Sequence, residues 1–220
     1  CEEDQDIKVV VITGSRKAFC AGGDIGFFYN QLDKSDALLK EVFQLAGAMA
    51  LKMKKLSKIV IASVNGVAAG AGCNIPLAAD LSIAADNVKF TQAFVNIGLI
   101  PDTGGAFWLP RIVGSQRAFE MMASGRPVDA KEAFEAGMIN EICPPEKLEK
   151  RTFELAQKYA SGPLQSYKSL KKLMYESMYK DFERFLEIEC RLQTALTHTA
   201  DYKEGITSVV EKRKPVFTGK

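Results

Sequence analysis

The sequence has few of the residues that metal sites and disulfide frameworks need. Its 220 residues include one histidine and five widely spaced cysteines, without a CxxC pair. A single histidine excludes a multi-histidine metal site, and the absence of a nucleophile motif near His198 argues against a Ser–His–Asp triad. We interpret His198 as a surface residue. The odd number of cysteines favours reduced thiols, so we expect a cytoplasmic protein without a metal.

The sequence also lacks an excess of charge and the common ligand-binding fingerprints. Twenty-nine Lys and Arg against 27 Asp and Glu leave a net charge of +2, which is too small to support nucleic-acid binding. The segment GAGCNI (residues 70–75) lacks the third glycine of a dinucleotide fingerprint, and no GxxxxGK[ST], HExxH or GxSxG motif occurs. We therefore expect no nucleic-acid partner and no nucleotide-phosphate loop.

A leader and a membrane span are not expected either. The sequence opens on Cys1 and EEDQD instead of a basic and apolar leader, so it resembles a fragment cut inside a longer chain. Residues 59–79 carry no charge, and their number is close to that of a membrane helix. Asn65, Asn74 and Pro76, with three glycines, instead divide this segment into a buried strand, a loop and a short helix.

The apolar pattern that is present predicts an α/β protein. With 47% hydrophobic and 25% charged residues, the chain has the composition of a globular domain. Continuous β-branched runs predict strands buried on both faces at residues 7–14 and 59–64, with a helix at 38–56 between them and short strands at 81–85 and 88–91. These elements are expected to form one connected sheet. Beyond residue 103 the pattern predicts helices only, at residues 103–113, 115–124, 129–137, 146–160, 164–179 and 182–196.

Two loops of small residues follow predicted buried strands: AFCAGGDI (residues 18–25) and NGVAAGAGC (residues 65–73). Small side chains let another molecule approach the backbone, and N–H groups in such loops can converge on a negatively charged oxygen. The second loop leads into a helix, whose positive dipole end would stabilise that charge. The alternative is that both loops are only tight turns packed against a neighbouring element.

Asp102 lies in the apolar segment GLIPDTGGAFWLPRIVG (residues 98–114). Apolar surroundings raise the pKa of a carboxyl group towards a value useful for proton transfer. The alternative is that Asp102 is the N-cap of the following helix.

These motifs, in this order and with the ending ADYKEGITSVVEKRKPVFTGK, resemble the enoyl-CoA hydratase/isomerase (crotonase) family over essentially the whole chain. The resemblance implies a spiral of ββα units over residues 1–140, which would lack the family's first hairpin and helix, and a C-terminal helical trimerisation region over residues 141–220. It also implies an acyl-CoA thioester substrate, an oxyanion hole formed by the N–H groups of Ala21 and Ala71, and a homotrimer or a dimer of trimers. The residues expected to contact the thioester and CoA are Ala21, Gly22, Gly23, Asp24, Gly70, Ala71 and Lys212. For Lys212, a solvated charge at a helix end is an equal alternative.

Departures from the hydratase pattern indicate the subclass. Hydratases of this family have glutamates at the positions of Asn74 and Phe94, and neither of these residues exchanges a proton. Asp102 occupies the position of the carboxylate in Δ3,Δ2-enoyl-CoA isomerases, including those of phenylacetate degradation. We therefore expect an acyl-CoA double-bond isomerase without a metal or redox cofactor, in which Asp102 moves the proton.

Two other functions remain open at this point. One is a hydratase or lyase of aromatic or alicyclic acyl-CoA, and the other is a non-catalytic protein that binds CoA esters or RNA. A ring-shaped acyl group would need an aromatic pocket, for which the sequence offers Phe28, Asn74, Phe94 and Phe107. Core packing is the alternative for the aromatic residues.

Overall fold

The computed structural model describes residues 1–15 and 17–220. The strands are β1 (Val9–Thr13), β2 (Ala18–Cys20), β3 (Ile59–Val64), β4 (Val67–Ala69), β5 (Leu81–Ala85), β6 (Lys89–Thr91), β7 (Pro127–Asp129) and β8 (Glu141–Cys143). The helices are α1 (Ile25–Tyr29), α2 (Ala37–Lys55), α3 (Ala71–Ala78), α4 (Gly105–Val113), α5 (Ser115–Ser124), α6 (Ala130–Glu135), α7 (Pro145–Ala160), α8 (Leu164–Met174), α9 (Phe182–Leu196) and α10 (Ala200–Val210). A 3-10 helix (Ala93–Ile97) precedes α4, and a π-helical turn (Tyr175–Tyr179) follows α8.

The strands form two four-stranded sheets, where the sequence predicted one connected sheet. Sheet one has the order β1-β3-β5-β8, and all of its pairs are parallel. Sheet two has the order β2-β4-β6-β7, with the β6–β7 pair antiparallel. Each successive strand pair places one strand in each sheet, and helices connect the pairs. This is the predicted spiral of ββα units, and its α/β class is confirmed.

Burial differs between the two long predicted strands. All six residues of β3 are buried, as its β-branched run predicts. β1 lies at the edge of sheet one, and its residues are partly or fully exposed, with Val11 40% exposed. The prediction that residues 7–14 are buried on both faces is therefore wrong, because an apolar run does not distinguish an edge strand from a central one.

The prediction of helices alone beyond residue 103 is wrong in two places. β7 pairs with β6 through Phe90 and Val128, and β8 pairs with β5 through Ala84 and Ile142. Each has only three residues, which is too short for a periodic pattern, so its neighbours in the sheet determine its conformation. Sheet one consequently extends to Cys143, beyond the boundary at residue 140 drawn from the sequence.

Most predicted helices are present with small shifts at their ends. The predicted segments 115–124 and 182–196 coincide with α5 and α9, and the segment 164–179 comprises α8 and the π-helical turn. α10 has no counterpart in the prediction. Within residues 1–15 and 17–220, no helix is both long and apolar enough to cross a bilayer.

Most of the apolar face of α9 packs within the chain. Phe182 is fully buried, with its ring centroid 4.8 Å from that of Phe107 and 4.2 Å from that of Trp108. At Gly47 of α2, an added Cβ atom would lie 2.8 Å from Leu186, so α2 and α9 are in close contact there. At the opposite edge of the face, Ile188 and Leu192 remain exposed.

Candidate active site

The two glycine loops predicted from the sequence lie against each other. They follow β2 and β4, which are neighbours in sheet two. A Cβ atom on Gly22 would lie 2.9 Å from the carbonyl oxygen of Ala69, and one on Gly70 would lie 3.7 Å from the Cα atom of Gly22. Both glycines have φ in the left-handed region, at +91° and +54°. Side chains at these positions would strain the backbone and separate the loops.

Ala71 is the first residue of α3, directly after Gly70. The first N–H groups of a helix have no intrahelical acceptor, and they carry the positive end of the helix dipole. At Gly72, a Cβ atom would lie 2.1 Å from the carbonyl oxygen of Cys20, so glycine is what lets α3 approach β2. The helix start is thereby held beside the first loop.

A cavity of about 290 Å³ opens at these loops. Its wall is apolar apart from Asn96 and Asp102, and Asp102 is the one ionisable side chain among the described residues that line it. The lining residues are Ala21, Gly22, Gly23, Ile25, Phe28, Gly70, Ala71, Ala93, Phe94, Asn96, Ile97, Leu99, Asp102 and Val209.

Asp102 is 9% exposed. Burial raises the pKa of its carboxyl group to about 6, although the Thr103 hydroxyl, which donates to Oδ1 at 2.9 Å, favours the charged form. The alternative role as an N-cap is wrong. α4 begins at Gly105 with Gly104 as its N-cap, and the contribution of Asp102 to this turn is its backbone carbonyl, which accepts from Gly105 N at 2.8 Å.

Two residues assigned to the acyl pocket lie elsewhere. Asn74 is fully buried, and its Nδ2 donates to the backbone carbonyl of Asp102 at 2.8 Å, while its Oδ1 accepts from Gln92 Nε2 at 2.7 Å. Phe107 points from α4 into the ring cluster around Phe182. Neither lines the cavity, because each lies on a helix face that turns into the core. Phe28 and Phe94 do line it.

Two residues assigned to CoA contacts also lie outside the cavity wall. Asp24 is the N-cap of α1, and its Oδ1 accepts from Phe27 N at 3.1 Å. Lys212 is exposed just beyond the end of α10, with φ at +55°. Val209, three residues earlier, lines the cavity, so Lys212 follows the helix end that reaches this wall. His198 is exposed, as predicted, with Nε2 3.2 Å from Asp36 Oδ2.

Sequence reasoning missed Glu189 and Gln193, which are buried on α9. Both accept hydrogen bonds from backbone N–H groups on either side of Asp102. The available signal was their spacing. They continue the helical face of Phe182 and Leu186, so that polar residues occupy positions of an otherwise apolar stripe. Such residues need buried partners.

A second cavity, of about 340 Å³, borders the C-terminal end of α3 at Pro76 and Leu77. It has a charged pair of its own, because Lys171 Nζ contacts Asp80 Oδ2. Burial lowers the pKa of nearby Lys54 to about 8, and its Nζ donates to the carbonyl of Ala79 at 2.9 Å. Neither glycine loop borders this cavity, and we therefore place the candidate active site at the smaller one.

The family model for enoyl-CoA hydratase/isomerase matches residues 1–220. The chain belongs to this family. A trans-2-decenoyl-[acyl-carrier-protein] isomerase from Streptococcus mutans is 37% identical over 220 residues, covering 100% of this chain and 84% of the relative. A probable enoyl-CoA hydratase from Rhodobacter capsulatus is 38% identical over 215 residues, which cover 98% of this chain and 82% of the relative. The fold of this chain matches the crystal structure of an enoyl-CoA hydratase from Mycobacterium avium subsp. paratuberculosis with a TM-score of 0.86. The two sequences are 28% identical, and the match covers 99% of this chain and 82% of the hydratase chain. The crotonase fold predicted from the sequence is thereby confirmed.

Proposed function

We propose that this protein is an acyl thioester double-bond isomerase that moves a proton with Asp102. The observation that carries the proposal is the cavity wall, in which Asp102 is the one ionisable side chain among the described residues and lies with the two glycine loops. Membership of the family implies an acyl-CoA thioester as the substrate. The Streptococcus relative is named as an acyl-carrier-protein isomerase, which adds a second carrier to be tested.

The proposed reaction needs a single base. The Asp102 carboxylate takes a proton from the α-carbon of a β,γ-unsaturated thioester, and the electron pair moves into a dienolate. The backbone N–H groups of Ala21 and Ala71 donate to the negatively charged thioester oxygen. Protonated Asp102 then returns the proton to the γ-carbon, which leaves the double bond conjugated with the carbonyl. Nothing is oxidised or reduced, and we propose that neither a metal nor a redox cofactor takes part.

The environment of Asp102 suits this proton transfer. With its pKa raised to about 6 by burial, the group is ionised at neutral pH and can accept a proton. Its conjugate acid is also strong enough to return that proton within the same turnover. Apolar residues such as Phe28, Phe94 and Leu99 keep the carboxylate poorly solvated, which strengthens it as a base.

Hydration would need a second proton-transferring side chain in the cavity wall. Addition of water uses one carboxylate to position and deprotonate the water and an acid to protonate the α-carbon. Of the two positions that hold glutamates in the hydratase pattern, Asn74 is buried in hydrogen bonds beneath Asp102, and Phe94 is an apolar part of the wall. The Rhodobacter relative, named as a probable enoyl-CoA hydratase, keeps hydration as the second candidate function.

One assay separates the two functions. The protein is incubated separately with β,γ-unsaturated and α,β-unsaturated thioesters, each carried by CoA or by acyl-carrier protein, and the products are resolved by chromatography with mass detection. Isomerisation gives a product of unchanged mass that absorbs as a conjugated thioester, whereas hydration adds the mass of water. We expect isomerisation. A hydrated product, formed from an α,β-unsaturated substrate at a higher kcat/KM than isomerisation, would contradict the proposal.

We also propose a homotrimer or a dimer of trimers. Support comes from exposed apolar side chains in the C-terminal helical region. On α8 and the π-helical turn these are Leu170, Leu173, Met174 and Met178, each at least 42% exposed, and on α9 they are Ile188 and Leu192. Exposed apolar side chains concentrated in one region of a protein are typical of subunit contacts.

A further inference from the structure

The two buried polar side chains of α9 are one helical turn apart. Glu189 is 5% exposed and Gln193 is fully buried. Buried polar groups on a helix that otherwise packs through Phe182 and Leu186 require specific partners. Their partners identify what this part of α9 does.

Both side chains accept hydrogen bonds from the loop that carries Asp102, which we call the Asp102 loop (residues 100–104). Gly104 N lies 3.2 Å from Glu189 Oε1 and 3.1 Å from Oε2, and Ile100 N donates to Gln193 Oε1 at 3.0 Å. Ile100 and Gly104 lie two residues before and two residues after Asp102. The helix therefore holds the loop at both of its ends.

The loop has a conformation that needs such support. Thr103 has φ at +57°, in the left-handed region that a β-branched residue rarely adopts. Backbone strain of this kind persists only where the surrounding structure fixes it. In this conformation the Thr103 hydroxyl reaches Asp102 Oδ1.

We propose that Glu189 and Gln193 are positioning residues, which hold the Asp102 loop so that the carboxylate faces the substrate at a reactive distance. This inference rests on the proposed function of Asp102 as the base. Neither side chain lines the cavity, so neither is expected to contact the substrate. The effect of removing them should therefore fall on kcat and leave KM nearly unchanged.

A glutamine can replace Glu189 in this role. Burial raises the pKa of Glu189 to about 8, and the nearby charge of Asp102 raises it further in the same direction. The side chain is thus mostly protonated at neutral pH. An amide of the same length provides the same carbonyl acceptor for Gly104 N–H, whereas leucine fills similar space without an acceptor.

The chain contains one tryptophan, and it reports on this loop. Trp108 is buried, and its Nε1 donates to the backbone carbonyl of Thr103 at 3.3 Å. Because the Trp108 ring also packs against Phe182 of α9, its fluorescence reports on the contact between the Asp102 loop and α9 independently of turnover.

The experiment compares Glu189→Leu with Glu189→Gln. For Glu189→Leu, we expect kcat to fall by about 10²-fold with KM within a few-fold, and Trp108 emission to move to longer wavelength. Glu189→Gln should recover most of the lost kcat and the original emission. Glu187→Leu, the same change at an exposed position of α9, is the matched control. If Glu189→Leu does not fold, Gln193→Met, which removes the acceptor for Ile100 N–H, is judged by the same measurements.

The outcomes separate this inference from the proposed function. A folded Glu189→Leu variant with wild-type kcat and emission would overturn the positioning role. Equal losses in Glu189→Gln and Glu189→Leu would also overturn it, because the acceptor would then be irrelevant. If the wild-type protein did not isomerise any thioester, the proposed function would fail, whereas an emission change confined to Glu189→Leu would still support the hold on the loop.

Discussion

Asn74 supports the backbone of Asp102 through a 2.8 Å hydrogen bond from its Nδ2 to the Asp102 carbonyl oxygen. In the hydratase pattern a glutamate occupies the position of Asn74. Here the side-chain amide of Asn74 donates to the Asp102 carbonyl and accepts from Gln92 Nε2. A position that would supply a carboxylate in a hydratase instead supports the backbone that carries Asp102.

The first prediction concerns the base. Asp102→Asn keeps the shape of the side chain and an acceptor for the Thr103 hydroxyl, but it cannot accept the substrate proton. We expect kcat for isomerisation to fall by about 10²–10⁴-fold, with binding of the thioester largely retained because the glycine loops are untouched. Steady-state kinetics and calorimetric binding measure the two effects. Asp86→Asn, at an exposed position, is the control. Wild-type turnover in a folded Asp102→Asn variant would assign the proton transfer to another group.

The second prediction concerns stability and pH. The pKa of Asp102 is raised in the folded chain from 3.8 to about 6, so the folded state holds this proton more tightly than the unfolded state. The wild-type protein should therefore lose stability from this group as pH rises from about 4 to 6, by about 3 kcal/mol in all. Asp102→Asn lacks this loss. The free energy of unfolding of the variant minus that of the wild type should therefore increase between pH 4 and pH 7.5. Urea titrations of both proteins at each pH measure this difference. A difference that stays constant with pH would contradict the raised pKa of Asp102.

The third prediction concerns the oxyanion hole. Ala71→Pro removes one N–H donor at the first position of α3, where proline is compatible with a helix. We expect kcat to fall by about 10²–10³-fold without loss of fold, as for removal of one such donor in other enzymes. Ala200→Pro, the same change at the exposed first position of α10, where the preceding Thr199 is extended, is the matched control. Unchanged kcat in the folded Ala71→Pro variant would assign the donor to another loop.

The fourth prediction concerns the amide beneath Asp102. Asn74→Asp is nearly isosteric, but at neutral pH the new carboxyl group either turns a charged oxygen towards the Asp102 carbonyl or must first bind a proton in order to donate to it. We expect a loss of about 1–3 kcal/mol in stability, or more if the new carboxyl is charged, together with a lower kcat. Asn87→Asp, at an exposed turn position, should have neither effect. Chemical unfolding and kinetics of both variants test this, and equal stability of the two would show that the hydrogen bond contributes little.

The fifth prediction concerns assembly. Sedimentation of the wild-type protein should give a mass of three or six times 24.1 kDa. Leu173, the most exposed of the apolar side chains on α8, is expected to lie in the contact, so Leu173→Glu should lower the mass. Leu45→Glu places the same charge on an exposed apolar position of α2 and should leave the mass unchanged. A monomeric wild-type protein would refute the proposed trimer.

Local signals in the sequence predicted those residues of the candidate site that the structure brings to one cavity wall. The glycine loops around Gly22 and Gly70 and the carboxylate at Asp102 could be identified because small residues after a buried strand, and an acid in an apolar segment, are unusual in themselves. Glu189 was missed because its hydrogen-bond partner, Gly104 N, lies 85 residues away along the chain. Phe107 was misplaced because an aromatic residue on an amphipathic helix fits a pocket and a core equally well.

The same limit applies to the fold. β3 could be predicted because its burial on both faces leaves a continuous apolar run. β8 could not, because three residues carry no periodicity and their extended conformation follows from pairing with β5. The edge position of β1 could not be predicted either, because the order of strands depends on how the sheet assembles and not on the sequence of one strand.

The cavity wall contains Ala21 near one end of the chain and Val209 near the other. A ribosome that has made the glycine loops and Asp102 has still not made α10, so the nascent polypeptide has these parts of the cavity wall but not Val209. Contacts this distant in sequence form late in folding because the intervening chain must be ordered first. The cavity wall can therefore be completed only after the segment that forms α10 has left the ribosome.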